Sequence, residues 1–69
     1  MTHYTIIVGG RLDERYAGEF ADLLVLPQAD GTTALSGWVR DQSELHGQIR
    51  RIEALGLSLV SVKEDGGDR

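Results

Sequence analysis

Asp41-Gln42-Ser43-Glu44 opens the one stretch of this chain that dictates its own secondary structure from both ends. An Asp at a cap position offers its carboxylate to the first unpaired amides of a helix, and a Glu three residues on can reach back to the cap's own N–H, so a helix is predicted from Gln42. Leu45, Ile49, Ile52 and Leu55 follow at spacings of four, three and three, which gathers them on one face. Gly56 stands where a left-handed closing residue is wanted. Burying four such side chains contributes roughly 1.5–3 kcal/mol each before conformational entropy is subtracted. Much of any core therefore belongs to this helix and to the strand, Leu57 to about Lys63, that it leads into.

With 69 residues there is room for one domain, assigned to residues 1–63, with the polar and Gly-rich residues 64–69 read as a disordered tail. A chain this short buries a modest fraction of its surface and is marginally stable alone, which favours help from a partner subunit. The absence of cysteine excludes disulfides, thiolate metal sites and thiol chemistry. A formal net charge of −4, with the acidic residues dispersed, argues against nucleic acid as a partner. No apolar run approaches the roughly 20 residues of a membrane span, and the N-terminus lacks a basic segment followed by an apolar signal core. The expectation is a cytoplasmic protein with no membrane partner.

Tyr4-Thr5-Ile6-Ile7-Val8 is β-branched and aromatic and reads as a strand with apolar groups on both faces, ended by Gly9-Gly10. Leu12-Asp13-Glu14-Arg15 reads as a helix start with Asp13 as cap. Gly18 weakens its middle, so about two turns are predicted, ending near Phe20 or Ala21. Leu23 to Leu26 is a second strand, placed at a sheet edge by Pro27, and Asp30-Gly31 turns the chain into a third strand, Thr32 to Arg40. Strand, short helix, strand, hairpin, strand, long helix, strand is the order of an α+β, ferredoxin-like βαββαβ sandwich. Its antiparallel four-stranded sheet would have order 4-1-3-2, with both helices on one face.

Leu12-Asp13-Glu14-Arg15, Asp30-Gly31-Thr32-Thr33, Gly37 and Val39, Asp41-Gln42, Leu45-His46-Gly47, Leu55-Gly56-Leu57 and Ser61-Val62 together form a pattern that spans nearly the whole chain. It resembles a group of short, mostly uncharacterised bacterial proteins. The group brings no established activity, and this chain has Gly37-Trp38-Val39 where the group has Gly-Pro-Val.

Five residues are singled out as ligand- or interface-binding: Ile7, Trp38, His46, Gly47 and Arg50. Ile7 and Trp38 fall on the sheet face turned away from the helices, where an apolar patch marks an interface. His46, with Arg50 one turn on and Glu53 two turns on, can form a polar groove for a small anion or supply a general base; the plainer reading is a flank histidine bonding a neighbouring loop. Gly47 lies in a stripe of small residues with Ser43 and Ala54. It costs the helix about 1 kcal/mol relative to Ala, which calls for another backbone close by unless the glycine is merely tolerated.

No catalytic residue, metal ligand or cofactor is assigned. His3 is placed at a frayed N-terminus, and a metal site from His3 and His46 lacks supporting ligand spacing. None of the serines sits in Gly-x-Ser-x-Gly. After Gly9-Gly10, the acidic Asp13 and Glu14 would repel a phosphate. The expected function is a small non-enzymatic interaction or ligand-binding module, a homodimer or small oligomer acting through its open sheet face on a protein partner or a small molecule. The alternative is a cofactor-free enzyme or biosynthetic accessory protein with a pocket near Trp38 and His46.

Overall fold

The computed structural model describes residues 1–12, 14–20 and 22–67. Strand β1 (Thr2–Gly9) is followed by a single helical turn, α1 (Glu14–Ala17), and a 3-10 turn (Gly18–Phe20). Then come β2 (Leu24–Pro27), β3 (Thr33–Val39), the long helix α2 (Gln42–Ala54) and β4 (Ser58–Gly67). The strands form one sheet in the order β2-β3-β1-β4, with every neighbouring pair antiparallel.

Helix α2 is closed chemically at both ends. Asp41 is extended, and its Oδ1 accepts from the Glu44 N–H at 2.9 Å. Glu44 does not return the bond to the cap itself, as a full capping box would; its Oε1 accepts from the N–H of Arg40, one residue earlier, at 3.2 Å. At the far end the N–H of Leu57 bonds to Ile52 O and that of Gly56 to Glu53 O, with Gly56 at φ +79°. This is the paired six-to-one and five-to-two arrangement that closes a helix through a left-handed glycine.

Period-two alternation decides what faces α2. Ile6 and Val8 of β1 and Thr33, Leu35 and Val39 of β3 point inward and are buried, as are Leu45, Gln48 and Ile52 of the helix. Phe20 and Leu23 complete the core from the connection between β1 and β2. Gly37 makes room for that connection: a Cβ there would lie 2.8 Å from Leu23 Cδ2 and 3.1 Å from the backbone O of Asp22. The hairpin turn is held by Asp30, whose Oδ1 accepts from both the N–H and the hydroxyl of Thr32.

The two-helix ferredoxin-like sandwich predicted from the sequence is not what forms. The first helical segment is four residues long and passes directly into the 3-10 turn at Gly18. A residue of low helix propensity in so short a segment leaves too few internal hydrogen bonds to sustain a second layer. Tyr16 is exposed, while Phe20 and Leu23 reach the core from the turns that follow. The proposed cap Asp13 and end point Ala21 lie outside the described residues.

One helix about 10 Å across cannot cover four strands spaced about 4.8 Å apart. The consequence is visible in β4, which is exposed along all ten of its residues.

Nor do residues 64–67 form a disordered tail. Residues 64–67 continue β4 and pair with the start of β1, Glu64 opposite Tyr4 and Gly67 opposite Thr2. Asp68 and Arg69 lie outside the described residues. Two register shifts interrupt this pairing, between His3 and Tyr4 and between Ile7 and Val8. They leave Asp65 and Val60 as extra residues on the β4 side, the bulges that allow ten residues of β4 to follow eight of β1.

Candidate functional site

Glu44, Gly47, Gln48 and Arg51 recur at spacings of three, one and three, so they share one side of α2. With Arg40 at the end of β3 and Asp22 in the turn before β2 they line a groove of about 290 Å³. Arg40 is tied to Glu44, its Nε donating to Oε2 at 3.0 Å. That side-chain bond, reinforced by the backbone N–H of Arg40, holds the Glu44 carboxyl below its ordinary range; the same bond, together with the carboxylate charge, raises the Arg40 guanidinium. Arg51 Nη1 donates to the carbonyl O of Glu19 at 3.0 Å, bracing α2 against the 3-10 turn.

Gln48 is the anomaly of the groove. It is 7% exposed, and its Oε1 is buried with no hydrogen-bond partner among the described residues. Buried polar side-chain atoms are nearly always paired, and an unpaired one costs about 1–3 kcal/mol. Gly47 beside it contributes open space: a Cβ there would meet nothing within 4 Å.

The face of the sheet opposite α2 is organised in rows by the strand register. One row runs Leu26, Ala34, Ile7 and Ser61, with the bulged Val60 beside its end. The next runs Leu24, Ser36, Thr5 and Lys63, and the third begins with Trp38 and His3. The first row is apolar up to Ser61 and partly exposed, with Leu26 46% and the adjacent Val60 59% accessible; Leu24, at the end of the second row, is 59% accessible. The third is polar. The bulge aims Asp65 back across β1, where its Oδ2 lies 2.8 Å from His3 Nδ1 and accepts from Thr5 Oγ1 at 2.5 Å. The His3 ring meets Trp38 edge-on, centroids 5.1 Å apart. The Thr5 hydrogen bond, and after it the His3 contact, hold the Asp65 carboxyl below its ordinary value.

The residues singled out from the sequence are not brought together. Ile7 and Trp38 lie on the open face, in the apolar and polar rows respectively. His46 and Arg50 are exposed on α2 and do not line the groove; only Gly47 does. Among the described residues no backbone from outside the helix comes within 4 Å of a Cβ placed at Gly47, so the close approach inferred for it is not seen there. Trp38 and His46 stand on opposite sides of the sheet, and the groove is lined by neither.

Sequence reasoning missed Gln48 and His3. Gln48 carried a signal: it stands three residues after Leu45 and four before Ile52, inside the apolar stripe. His3 carried none, because its partner is 62 positions away.

Among the described residues no three metal-ligating side chains stand close enough to hold a metal ion, and no helix is long and apolar enough to cross a membrane. Fold and groove together define a small α+β domain: a four-stranded antiparallel sheet with one covering helix. The chain belongs to the family described as Domain of unknown function (DUF8691), whose model matches residues 3–63. No curated protein and no solved structure matches it.

Proposed function

We propose that the protein is a non-enzymatic interaction module that pairs with a second copy of itself through the open sheet face. The observation that carries this reading is the apolar patch formed by Leu24 and Leu26 of β2, Ile7 of β1 and the bulged Val60 of β4, on a face that α2 does not cover. Burial of such a patch is the main favourable term available to a domain of this size. The arrangement also suits an interface, because the apolar patch is bordered by polar groups at Thr5, Lys63, His3 and Asp65 that can remain wetted at a rim. A two-fold axis through the patch places the same residues on both sides, as an isologous contact requires.

Light scattering coupled to gel filtration tests it. A dimer is expected at micromolar concentration, converting to monomer in Leu26→Lys and Ile7→Lys while the circular dichroism stays unchanged. A wild-type chain that runs as a monomer across that range overturns the reading.

A cofactor-free enzyme draws support from one observation, the carboxylate of Asp65 against His3 Nδ1. That contact orients the imidazole and supports a reading in which its second ring nitrogen transfers protons. The pairing with Trp38 then involves His3 in place of His46. Its test is the His3→Ala variant: any turnover found for the wild type must disappear with it.

A further inference from the structure

The groove on the other side of the molecule carries an assignment that does not depend on self-association. Two neighbouring positions of α2 both work against the stability of the helix and its packing. Gly47 is a poor helix residue with open space around it, and Gln48 buries an acceptor that nothing among the described residues satisfies. Local rules broken at adjacent residues, in one concavity, point to a site kept for binding.

The lining fixes the chemistry of the occupant. Two guanidinium groups and two carboxylates balance, so a phosphate would meet Asp22 and Glu44 while a divalent cation would meet Arg40 and Arg51. Arg40 and Glu44 neutralise each other. The remaining charges are Arg51, whose hydrogen bond to Glu19 is to an uncharged carbonyl, and Asp22, of opposite sign, with the Gln48 amide in the same wall. About 290 Å³ lies just below the usual range of small-molecule pockets and suits a metabolite of few atoms. We propose that this groove binds a small zwitterion of the α-amino-acid class: its carboxylate on Arg51, its ammonium on Asp22, and an N–H or O–H donated to Gln48 Oε1. A neutral sugar fits less well, since it leaves both charges unmatched.

The full chain, labelled with 15N, is titrated with L-glutamine, glycine, N-acetylglycine, glycine methyl ester, inorganic phosphate and glucose in the millimolar range. Amide shifts centred on Gly47, Gln48 and Arg51 are expected with the two amino acids and are expected to weaken about tenfold when either charge of glycine is masked, the loss of one charge-assisted contact. Gly47→Ala, which places a methyl group in the groove, and Gln48→Met, which removes the amide at similar length, are each expected to weaken binding about tenfold and to melt no lower than the wild type. A residue of purely structural importance would show the reverse, a lower melting temperature with binding intact. Gly47→Ala carries the test alone if Gln48→Met does not fold. Preference for phosphate or glucose, shifts that persist in the variants, or no response to any probe overturns the assignment.

Discussion

His3 and Asp65, 62 positions apart, meet at 2.8 Å on the open face of the sheet and fasten the first strand to the far end of the last. The contact exists because a bulge in β4 re-aims Asp65, and Thr5 shares the same carboxylate oxygen. Three residues of no apparent importance in the sequence thereby hold the edge of the fold closed.

The acid limb of stability depends on this cluster. Asp65 is held below its ordinary value of 3.8 by Thr5 first and His3 second. A carboxyl whose folded pKa is depressed stabilises the fold above its unfolded value, and that contribution is lost as pH falls through the folded one. Urea midpoints measured from about pH 5 down to pH 2 should fall more steeply for the wild type than for Asp65→Asn, which should be the less stable of the two at neutral pH.

Two glycine substitutions should act in opposite directions. Gly37→Ala forces a Cβ against Leu23 and the Asp22 backbone, and should cost about 1–3 kcal/mol as overpacking does. Gly47→Ala meets nothing and should raise stability by up to about 1 kcal/mol through helix propensity. Chemical denaturation of both variants checks the pair.

Removing the helix cap has a bounded effect. Asp41→Ala deletes the bond to the Glu44 N–H and should cost about 0.5–2 kcal/mol. Asp41→Asn should recover most of it, since an amide oxygen caps nearly as well. The change reads out in the midpoint of thermal unfolding followed by circular dichroism.

The core tolerates little. Leu35 is fully buried, between Ile6 on β1 and Val25 on β2. Leu35→Ala should cost about 2–5 kcal/mol, comparable to the whole stability of a small domain, and should abolish cooperative unfolding. Ile52→Val should cost about 0.5–1.5 kcal/mol and leave a measurable transition.

How much of this was legible in the residues can be followed element by element. Helix α2 was, because Asp41, the apolar spacing and Gly56 act within a few residues of one another, and the β2–β3 turn was, because Asp30 bonds to Thr32 within its own loop. The alternation along β1 and β3 was also legible, since side-chain direction follows from strand geometry alone. The first helix was misjudged because its four residues and Gly18 gain too little from local hydrogen bonding to extend. The tail was misjudged because Gly66 and Gly67, flexible in isolation, are ordered by pairing with His3 and Thr2.

The site divides along the same line. Sequence alone determined where this chain turns and which residues seek the interior, because those are interactions between near neighbours. Only the tertiary structure decided that Gln48 would be buried in the groove lined by Asp22 and Arg40 with its Oε1 unpaired among the described residues, and that His3 would meet Asp65. Contacts across tens of residues depend on strand register and bulge position, and these are set by the packing of the whole sheet against one helix.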